Sequence, residues 1–447
     1  MATALPDYVR ASVPNPPSNR APWYKNTAPA YAGIFLWVGF YVGLAGPTIS
    51  QASLAVCLFG LLVAGLLCFA FYYYAPGMLG MQTGRNLYIV GSSTFGTTGG
   101  YVMPGLMMGL LQIGWFAVST YFSTDYIMHG LHATSKTLFV IVALAWAYGL
   151  ALLAMKGINY VARAAQILNW VPLVMILIVL WANKDGIANY HPTENKPFDG
   201  FLMVLSIVIG FFATAGAAGA DFGTNNRNRT DIFWGGLTGI ALAIVVAGSI
   251  PILSVAGHIG QSSPTGSAAQ PEAYAYAAAV SSAGAIAPIV FFLFAAASVV
   301  PTCFCTFIAS NSFGTMLPKI PKAVSTLIGV TVGALLAITG VAQHLIVFFQ
   351  IVGASFGPIC GAMAADYILA GYRWSGPRLG INWAGYMAWA VGFLVGILDK
   401  LPGVPEGLKN LDRPSVLWSF VVGFVVYWAL AKAGLWPDLV PESELPK

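Results

Sequence analysis

The sequence predicts an all-helical integral membrane protein with about twelve transmembrane helices. First, hydrophobic residues make up 58% of its 447 positions and charged residues only 8%, whereas a soluble domain averages roughly 25% charged residues. Second, it contains twelve separate apolar runs, and about 20 helical residues suffice to cross a ~30 Å hydrocarbon core. Third, these runs do not alternate between apolar and polar residues, as the strands of a membrane β-barrel would.

The apolar runs are separated by loops too short to hold a soluble domain. We therefore predict one transmembrane domain at 29–435, between a polar, proline-rich N-terminal tail at 1–28 and a C-terminal tail at 436–447. The tail at 1–28 lacks the pattern of a cleavable signal peptide. The predicted spans, numbered one to twelve in chain order, are 29–48, 52–74, 102–126, 137–155, 161–182, 201–220, 234–256, 284–310, 322–341, 345–370, 383–399 and 415–435.

The basic residues predict the orientation of the chain. With twelve spans and a cytoplasmic N-terminus, fourteen of the twenty Lys and Arg residues fall on the cytoplasmic side. This bias predicts a multi-pass protein of the plasma (inner) membrane with both termini in the cytoplasm. The net charge of +5 is then a signal of topology, and no basic patch indicates a nucleic-acid partner.

The cysteines predict neither a disulfide framework nor a metal site. Cys57, Cys68, Cys303, Cys305 and Cys360 all lie inside apolar runs, so we expect buried, unpaired thiols. Cys303 and Cys305 are two residues apart and would face different directions on a helix. We therefore expect no cofactor, apart from a sodium ion or a proton as a coupling ion.

Twelve spans joined by short loops are typical of secondary transporters, many of which bind their substrate near the membrane midplane at interrupted helices. Span one contains GIFLWVGFYVGLAGP (Gly33 to Pro47), and span six contains GFFATAGAAGADF (Gly210 to Phe222). These glycine-rich segments are five spans apart, as the two broken helices of a five-plus-five inverted repeat would be. Close helix packing explains the same glycines equally well.

Span three offers a candidate recognition face. Gln112 precedes Trp115 by three residues, so both lie on one side of the helix. An indole for stacking and a carboxamide that donates and accepts are what a planar heteroaromatic ring requires. The alternative is that Trp115 packs in an ordinary helix seam and Gln112 bonds to a neighbouring helix.

Span six contributes Phe212 and Thr214 beside its glycines. If the helix unwinds there, backbone groups become free to bind a ligand and Phe212 could close the second face of a stack. Asp221 ends this span. A carboxylate inside a membrane is a functional candidate, but its place near the helix end favours a structural ion pair with Arg227 or Arg229.

Span eight contains Ser298 and Thr302 four residues apart, with Pro301 between them. Two hydroxyl oxygens, with carbonyls released by the proline, could hold a small hard cation such as sodium. Alternatively, both hydroxyls bond to carbonyls of their own helix and bend it.

Four segments together resemble the nucleobase–cation symporters, the purine–cytosine permease family, across most of spans one to ten. They include the lead into span one, the glycine-rich entry to span three, the Ala-Asp-Phe ending of span six, and the Pro, Gly and Asp-Tyr ending of span ten. The segments are APWYKNTAPAYAGIFLW (Ala21 to Trp37), TGRNLYIVGSSTFGTTGGYVMPGLMMGLLQIGWF (Thr83 to Phe116), GFFATAGAAGADF (Gly210 to Phe222) and GPICGAMAADYIL (Gly357 to Leu369).

This resemblance implies a five-plus-five inverted-repeat fold of the amino acid–polyamine–cation superfamily type. Its repeats would be 29–182 and 201–370, with two extra helices at 383–435. It also implies uptake of a purine or pyrimidine base by cation symport. The implied substrate-binding residues, with Cys305 added from span eight, are Gln112, Trp115, Phe212, Thr214 and Cys305.

The resemblance further implies a sodium site between spans one and eight. Span eight departs from the family pattern, because Val299 and Val300 stand among its few hydroxyls and it lacks the asparagine that would read a base edge. We therefore expect at most a weak dependence on sodium and keep proton coupling as the alternative. The candidate cation-binding residues are Gly39, Gly43, Ala295, Ser298 and Thr302.

Other functions fit the sequence less well. The same fold could carry an amino acid, a vitamin precursor such as a thiamine precursor, or a hydantoin-like ring. An intramembrane enzyme would need clustered catalytic groups, and the spans contain no HExxH motif and no paired Asp. A channel would favour a polar pore and an oligomer. We expect a monomer in the lipid bilayer that binds a small molecule.

Overall fold

The computed structural model describes residues 5–155, 168, 170–263, 265–268, 270–405, 407, 409, 413–441 and 444. Each of the twelve predicted runs lies on a helix where the structure describes it. The start of span five, from 161, is outside the described residues, as are Lys156, Arg163 and Lys447 from the charge count. In chain order the helices are Thr27–Phe35 with Val38–Ile49, Leu54–Thr83, Gly99–Gly130, Lys136–Met155, Trp170–Asn189, Pro197–Ala217, Arg229–Ser262, Gly284–Met316, Lys322–Ile338, Leu345–Leu369, Trp383–Gly396 and Ser415–Lys432.

Most of these helices are long and apolar enough to cross a membrane. Within the described residues, nine continuous helices and one bent pair meet that standard. Spans nine and eleven are shorter, at 17 and 14 residues, which corresponds to roughly 26 and 21 Å of helix. The prediction of an all-helical, multi-span membrane protein is confirmed.

Span one is broken within the segment Gly33 to Pro47, whose glycines left an interruption and close packing equally open. Its two helices, Thr27–Phe35 and Val38–Ile49, meet at an angle of 56°. Trp37 adopts an extended conformation at the break, with φ −136° and ψ 137°. The chain therefore leaves helical geometry for two residues in the middle of the protein, where backbone groups and the Trp37 side chain become available to a ligand.

Span six stays helical at Phe212 and Thr214, which differs from the expectation, and its one interruption in the described chain falls between Gly216 and Gly219. The helix continues from Pro197 to Ala217, is interrupted at Ala218, and resumes as a short helix at Gly219–Gly223. Thr214 keeps its helical bond, because its carbonyl accepts from the Ala218 N–H at 3.0 Å. Span six therefore presents side chains, and not free backbone groups, at Phe212 and Thr214.

Span eight is interrupted at Ser298. One helix covers Ala287–Ala297 and the next covers Val299–Met316, with Ser298 between them at φ −71° and ψ −8°. Pro301 has no N–H to donate, so the preceding turn loses one backbone hydrogen bond. This break faces span three, since Ser119 and Thr302 exchange a hydrogen bond there.

The N-terminal segment packs against one end of the helix bundle. Tyr8 is buried and donates its hydroxyl to the Thr97 carbonyl at 2.6 Å. Asn15 donates from its side chain to the Thr224 carbonyl at 3.0 Å. Arg20 donates to the Met81 carbonyl at 2.8 Å. We refer to this end of the bundle as the N-terminal face.

Candidate substrate site

A cavity of about 270 Å³ lies in the middle of the protein, between spans one, three, six and eight. We call it the central cavity. In the described part of the chain, no charged side chain lines it, and its polar side chains are Gln112, Ser119, Thr214 and Cys305. The other lining residues are Ala30, Gly33, Ile34, Trp37, Trp115, Phe211, Ala215, Ala218, Phe222, Val300, Pro301, Phe304 and Ile308.

Trp115 forms an aromatic wall of the central cavity. Its indole N–H donates to the Thr214 hydroxyl oxygen at 3.1 Å. The rings of Phe348 and Phe211 meet its ring edge to face, with centroids 4.9 and 5.1 Å away. These contacts fix the plane of the indole, so it is prepared to stack with a flat ligand.

Gln112 supplies the most available polar group of the cavity. The one hydrogen bond that its side chain makes within the described chain is a weak contact from Nε2 to the Met108 sulfur at 3.6 Å. Gln112 is nevertheless buried. A buried carboxamide without a strong partner is costly, so this group is free to pair with the polar edge of a ligand.

Ser119 continues the Gln112 and Trp115 face of span three toward the break in span eight. It lies four residues beyond Trp115, and its hydroxyl bonds to that of Thr302. Ser119 was not among the site residues predicted from the sequence, although the spacing of Gln112, Trp115 and Ser119 follows a single helix face. Cys305 lines the cavity from span eight and is half-buried.

The expectation that Phe212 faces the substrate is not met, because Phe211 occupies that position. Phe212 is fully buried in the core, where its ring stacks on Phe35 with centroids 5.8 Å apart. Phe211 lines the central cavity. Successive residues on a helix point about 100° apart, so only one of two adjacent phenylalanines can face the cavity. The sequence alone did not indicate which.

Trp37, like Phe211, is an aromatic residue of the cavity that was not predicted from the sequence. It lies at the break in span one and lines the central cavity. Its indole N–H is buried and has no hydrogen-bond partner among the described residues. A buried donor without a partner indicates a position where a ligand acceptor would be stabilised. The sequence signal that could have identified Trp37 is its position as an aromatic residue beside a possible helix break.

The predicted cation-binding residues do not face the central cavity as a group. Ser298 donates its hydroxyl to the Phe294 carbonyl at 3.1 Å, and Thr302 donates to the Ser298 carbonyl at 2.6 Å. The Ala295 carbonyl accepts the Ser298 N–H at 3.0 Å. Both hydroxyls therefore bond to their own helix, the alternative that the sequence left open.

The two glycines of the predicted cation site are sites of close packing. A Cβ atom on Gly39 would lie 2.5 Å from the Trp37 ring, and one on Gly43 would lie 2.7 Å from the Phe349 ring. The absence of side chains lets these aromatic rings approach the helix. Pro47 cannot donate to the Gly43 carbonyl, so that oxygen lacks its usual helical donor.

The predicted ion pair between Asp221 and Arg227 is wrong. Arg227 pairs with Asp231, with Nε and Oδ2 separated by 2.9 Å. The two residues are four apart, at the start of the helix that begins at Arg229, so the pair closes within one turn. Asp221 instead accepts a long hydrogen bond from the Leu87 N–H at 3.4 Å.

A second cavity, of about 710 Å³, opens at the N-terminal face. We call it the vestibule. It shares Ala218, Phe222, Phe304 and Ile308 with the central cavity. The rings of Phe222 and Phe304 stack with centroids 6.4 Å apart. These two rings therefore stand where the central cavity meets the route to the N-terminal face.

Comparison with known proteins agrees with this architecture. No model of a known protein family matches the chain. The cytosine permeases of Escherichia coli strains K12 and O157:H7 are each 23% identical to it over 392 residues, covering 83% of both chains. The inward facing conformation of Mhp1 superposes with a TM-score of 0.75 at 15% identity, covering 100% of this chain and 99% of its own.

A second structure of Mhp1, described as a nucleobase-cation-symport-1 family transporter in a closed conformation with bromovinylhydantoin bound, gives a TM-score of 0.69 at 17% identity. It covers 99% of this chain and 98% of its own. The fold and the sequence similarity are both those of membrane transporters. The resemblance to the nucleobase–cation symporters is confirmed: the chain is a distant homologue of cytosine permeases and shares the fold of Mhp1.

Proposed function

We propose that this protein imports a nucleobase, either cytosine or a purine, across the plasma membrane by symport with a cation. One observation carries the proposal. The central cavity combines an aromatic wall at Trp115 with an available carboxamide at Gln112, and none of the described residues that line it is charged. A neutral planar ring with an amide edge matches such a site.

The three polar side chains near Trp115 divide the work of recognition. Gln112 both donates and accepts, so it can bind an amide edge in two places. Thr214 accepts the Trp115 N–H at 3.1 Å, which leaves its hydroxyl proton for a ligand acceptor. The N–H of Trp37, at the break in span one, has no partner in the described part of the chain and supplies a further donor.

A hydantoin-like ring with an apolar substituent is the second candidate substrate. Thirteen of the seventeen residues that line the central cavity are apolar or glycine. Val300 and Phe304 occupy the face of span eight. A bare nucleobase carries polar groups around most of its edge, and each one buried without a partner costs about 1–3 kcal/mol. The apolar wall therefore favours a ligand with one polar edge.

Cys305 offers a direct test of which ligand occupies the cavity. Of the five cysteines, Cys305 alone lines it. We expect cytosine, a purine or an aryl hydantoin to slow alkylation of Cys305 by N-ethylmaleimide in the purified protein. A Cys305→Ala variant is the control, because it should show no protected labelling. If none of these compounds protects Cys305, the proposed substrate class is wrong.

The orientation in the membrane is part of this proposal. We place the N-terminal face in the cytoplasm, because fourteen of the twenty basic residues lie on that side of a twelve-span chain. The vestibule then opens to the cytoplasm, as in an inward-facing transporter. Single cysteines placed in 183–200 should react with an impermeant reagent from outside intact cells, and those in 223–233 should not. The reverse pattern would contradict the orientation.

A further inference from the structure

We propose that Asp221 is a proton-binding site through which cytoplasmic pH controls opening and closing of the vestibule. The inference rests on the proposed function for its cytoplasmic orientation and for alternating access. It concerns the coupling of conformation to protons, and it does not depend on which substrate is carried.

The position of Asp221 is the first observation. It lines the vestibule and is the one carboxylate among the residues that do so in the described chain. The next residue, Phe222, stacks with Phe304 where the vestibule meets the central cavity. A change at Asp221 therefore acts one residue away from the constriction that a substrate must pass.

Its lack of a charged partner is the second observation. Within the described chain, Asp221 forms no ion pair, and the Leu87 N–H at 3.4 Å is the one donor from another residue that reaches its carboxylate. Asp366, in span ten, is a useful contrast. It accepts from the hydroxyls of Ser93 at 2.6 Å and Tyr427 at 2.9 Å, and Arg378 lies 3.7 Å away. Asp366 therefore has two short hydrogen bonds and a nearby guanidinium, whereas Asp221 has one long hydrogen bond from another residue.

The surrounding groups do not neutralise Asp221. Tyr31 of span one and Tyr88 of the helix Leu87–Val90 are its titratable neighbours, and phenols ordinarily titrate near pH 10. The second span packs against the Asp221 helix, but its Tyr74 accepts from Arg229 at 2.8 Å. Among the described residues, Lys322 is the one cation on the vestibule wall, and it donates to Asn311 at 2.7 Å.

These surroundings make the charge of Asp221 depend on the state of the vestibule. Burial raises the pKa of Asp221 to about 7 with the vestibule open. Closing the vestibule removes water without supplying a cation, and this raises the pKa further. A state with the higher pKa is favoured by protonation. Acid pH on the cytoplasmic side therefore favours closing, and this effect is lost as pH rises from about 7 upward.

A distance measurement without substrate tests the proposal. Spin labels on Lys319→Cys and Asn225→Cys, both exposed positions at the rim of the vestibule, report its width by double electron–electron resonance. The background carries Cys305→Ala, because the other four cysteines are buried. We expect the ratio of closed to open populations to fall from about pH 6 to about pH 9, by at most about tenfold per pH unit for one proton.

Substitutions assign the effect to Asp221. Asp221→Asn should stay at the acid distribution at every pH, because an amide resembles the neutral acid. Asp221→Glu should keep the response. Asp185→Asn, at a carboxylate whose side chain is 78% exposed, should behave as wild type. A wild-type distribution that does not change with pH, or a response retained by Asp221→Asn, would overturn the proposal. If Asp221→Asn does not fold, loss of the response in Asp221→Glu would overturn it. None of these results depends on the proposed substrate.

Discussion

The indole N–H of Trp115 donates to the hydroxyl oxygen of Thr214 at 3.1 Å, and this bond joins span three to span six in the wall of the central cavity. Both residues are buried. The bond fixes the indole plane and at the same time turns the Thr214 proton toward other acceptors, since its oxygen is already used. A stacking surface and a hydroxyl donor are thus set in one arrangement before any ligand arrives.

Removing the stacking surface should weaken ligand binding. Trp115→Ala deletes the aromatic wall, and stacking of a base on an aromatic side chain contributes about 1–3 kcal/mol. We expect the dissociation constant for the best ligand to rise about ten- to a hundredfold, measured by calorimetry on purified protein. Trp115→Phe keeps a ring but loses the bond to Thr214, so its dissociation constant should lie between those of wild type and Trp115→Ala. Wild-type affinity in a folded Trp115→Ala protein would assign Trp115 to packing alone.

Gln112 should determine which polar edge is preferred. Gln112→Ala leaves the polar edge of the ligand unpaired, which should weaken the binding free energy by about 1–3 kcal/mol. Gln112→Glu replaces a group that donates and accepts with one that only accepts when ionised, so the ranking of bases and hydantoins should change. The measurement is competition binding with a fixed panel. An unchanged ranking and affinity in both variants would show that Gln112 is structural.

Gly39 should be required for the position of Trp37. A Cβ at Gly39 would lie 2.5 and 2.7 Å from atoms of the Trp37 ring, so Gly39→Ala must displace the ring or the helix. Overpacking of this kind costs about 1–3 kcal/mol. We expect a lower melting temperature and weaker ligand binding.

Gly149→Ala is the matched control for Gly39→Ala. Gly149 lies in a helix of span four, and an added Cβ would meet no atom within 4 Å. Its melting temperature should equal or exceed that of wild type. Equal stability of the two variants would contradict the packing role of Gly39.

Sodium should have at most a modest effect on ligand affinity. Span eight offers few oxygens for sodium, because the Thr302 hydroxyl already bonds to Ser119, and Val299 and Val300 add no side-chain oxygen. The measurement is affinity in sodium against choline, repeated across pH. A sodium effect of tenfold or more, about 1.4 kcal/mol of coupling, would show a working sodium site. In that case Ser298→Ala and Thr302→Val should each abolish it.

The sequence predicts the helices well because a membrane allows few alternatives. Backbone groups in lipid must be satisfied within a helix, so long apolar runs such as 345–370 are almost unambiguous, and the helix found is Leu345–Leu369. The glycines of span one allowed a break but fitted close packing equally well, and the break lies at Trp37, away from Pro47. What the sequence could not provide is helix rotation. The choice of Phe212 over Phe211 was wrong, because both are equally apolar and only the neighbouring helices determine which one faces the cavity.

Polar contacts were harder to predict than helices. Arg227 has two acids within reach of its sequence position, Asp221 and Asp231. Local helix geometry selects Asp231, and this depends on where the helix at Arg229 begins. Ser119 was overlooked for a different reason. Ser119 connects span three to span eight through its hydrogen bond to Thr302, 183 residues away. A single sequence contains no record of that contact.

Uptake by purified protein in liposomes tests the central claim most directly. Proteoliposomes should take up radiolabelled cytosine, a purine or an aryl hydantoin under an imposed proton or sodium gradient. We expect saturable uptake that unlabelled members of the same panel compete with, and that Trp115→Ala reduces by about tenfold or more at subsaturating ligand. Absence of saturable uptake for every compound in folded protein, or uptake that Trp115→Ala leaves unchanged, would contradict the assignment of the central cavity as a heterocycle transport site.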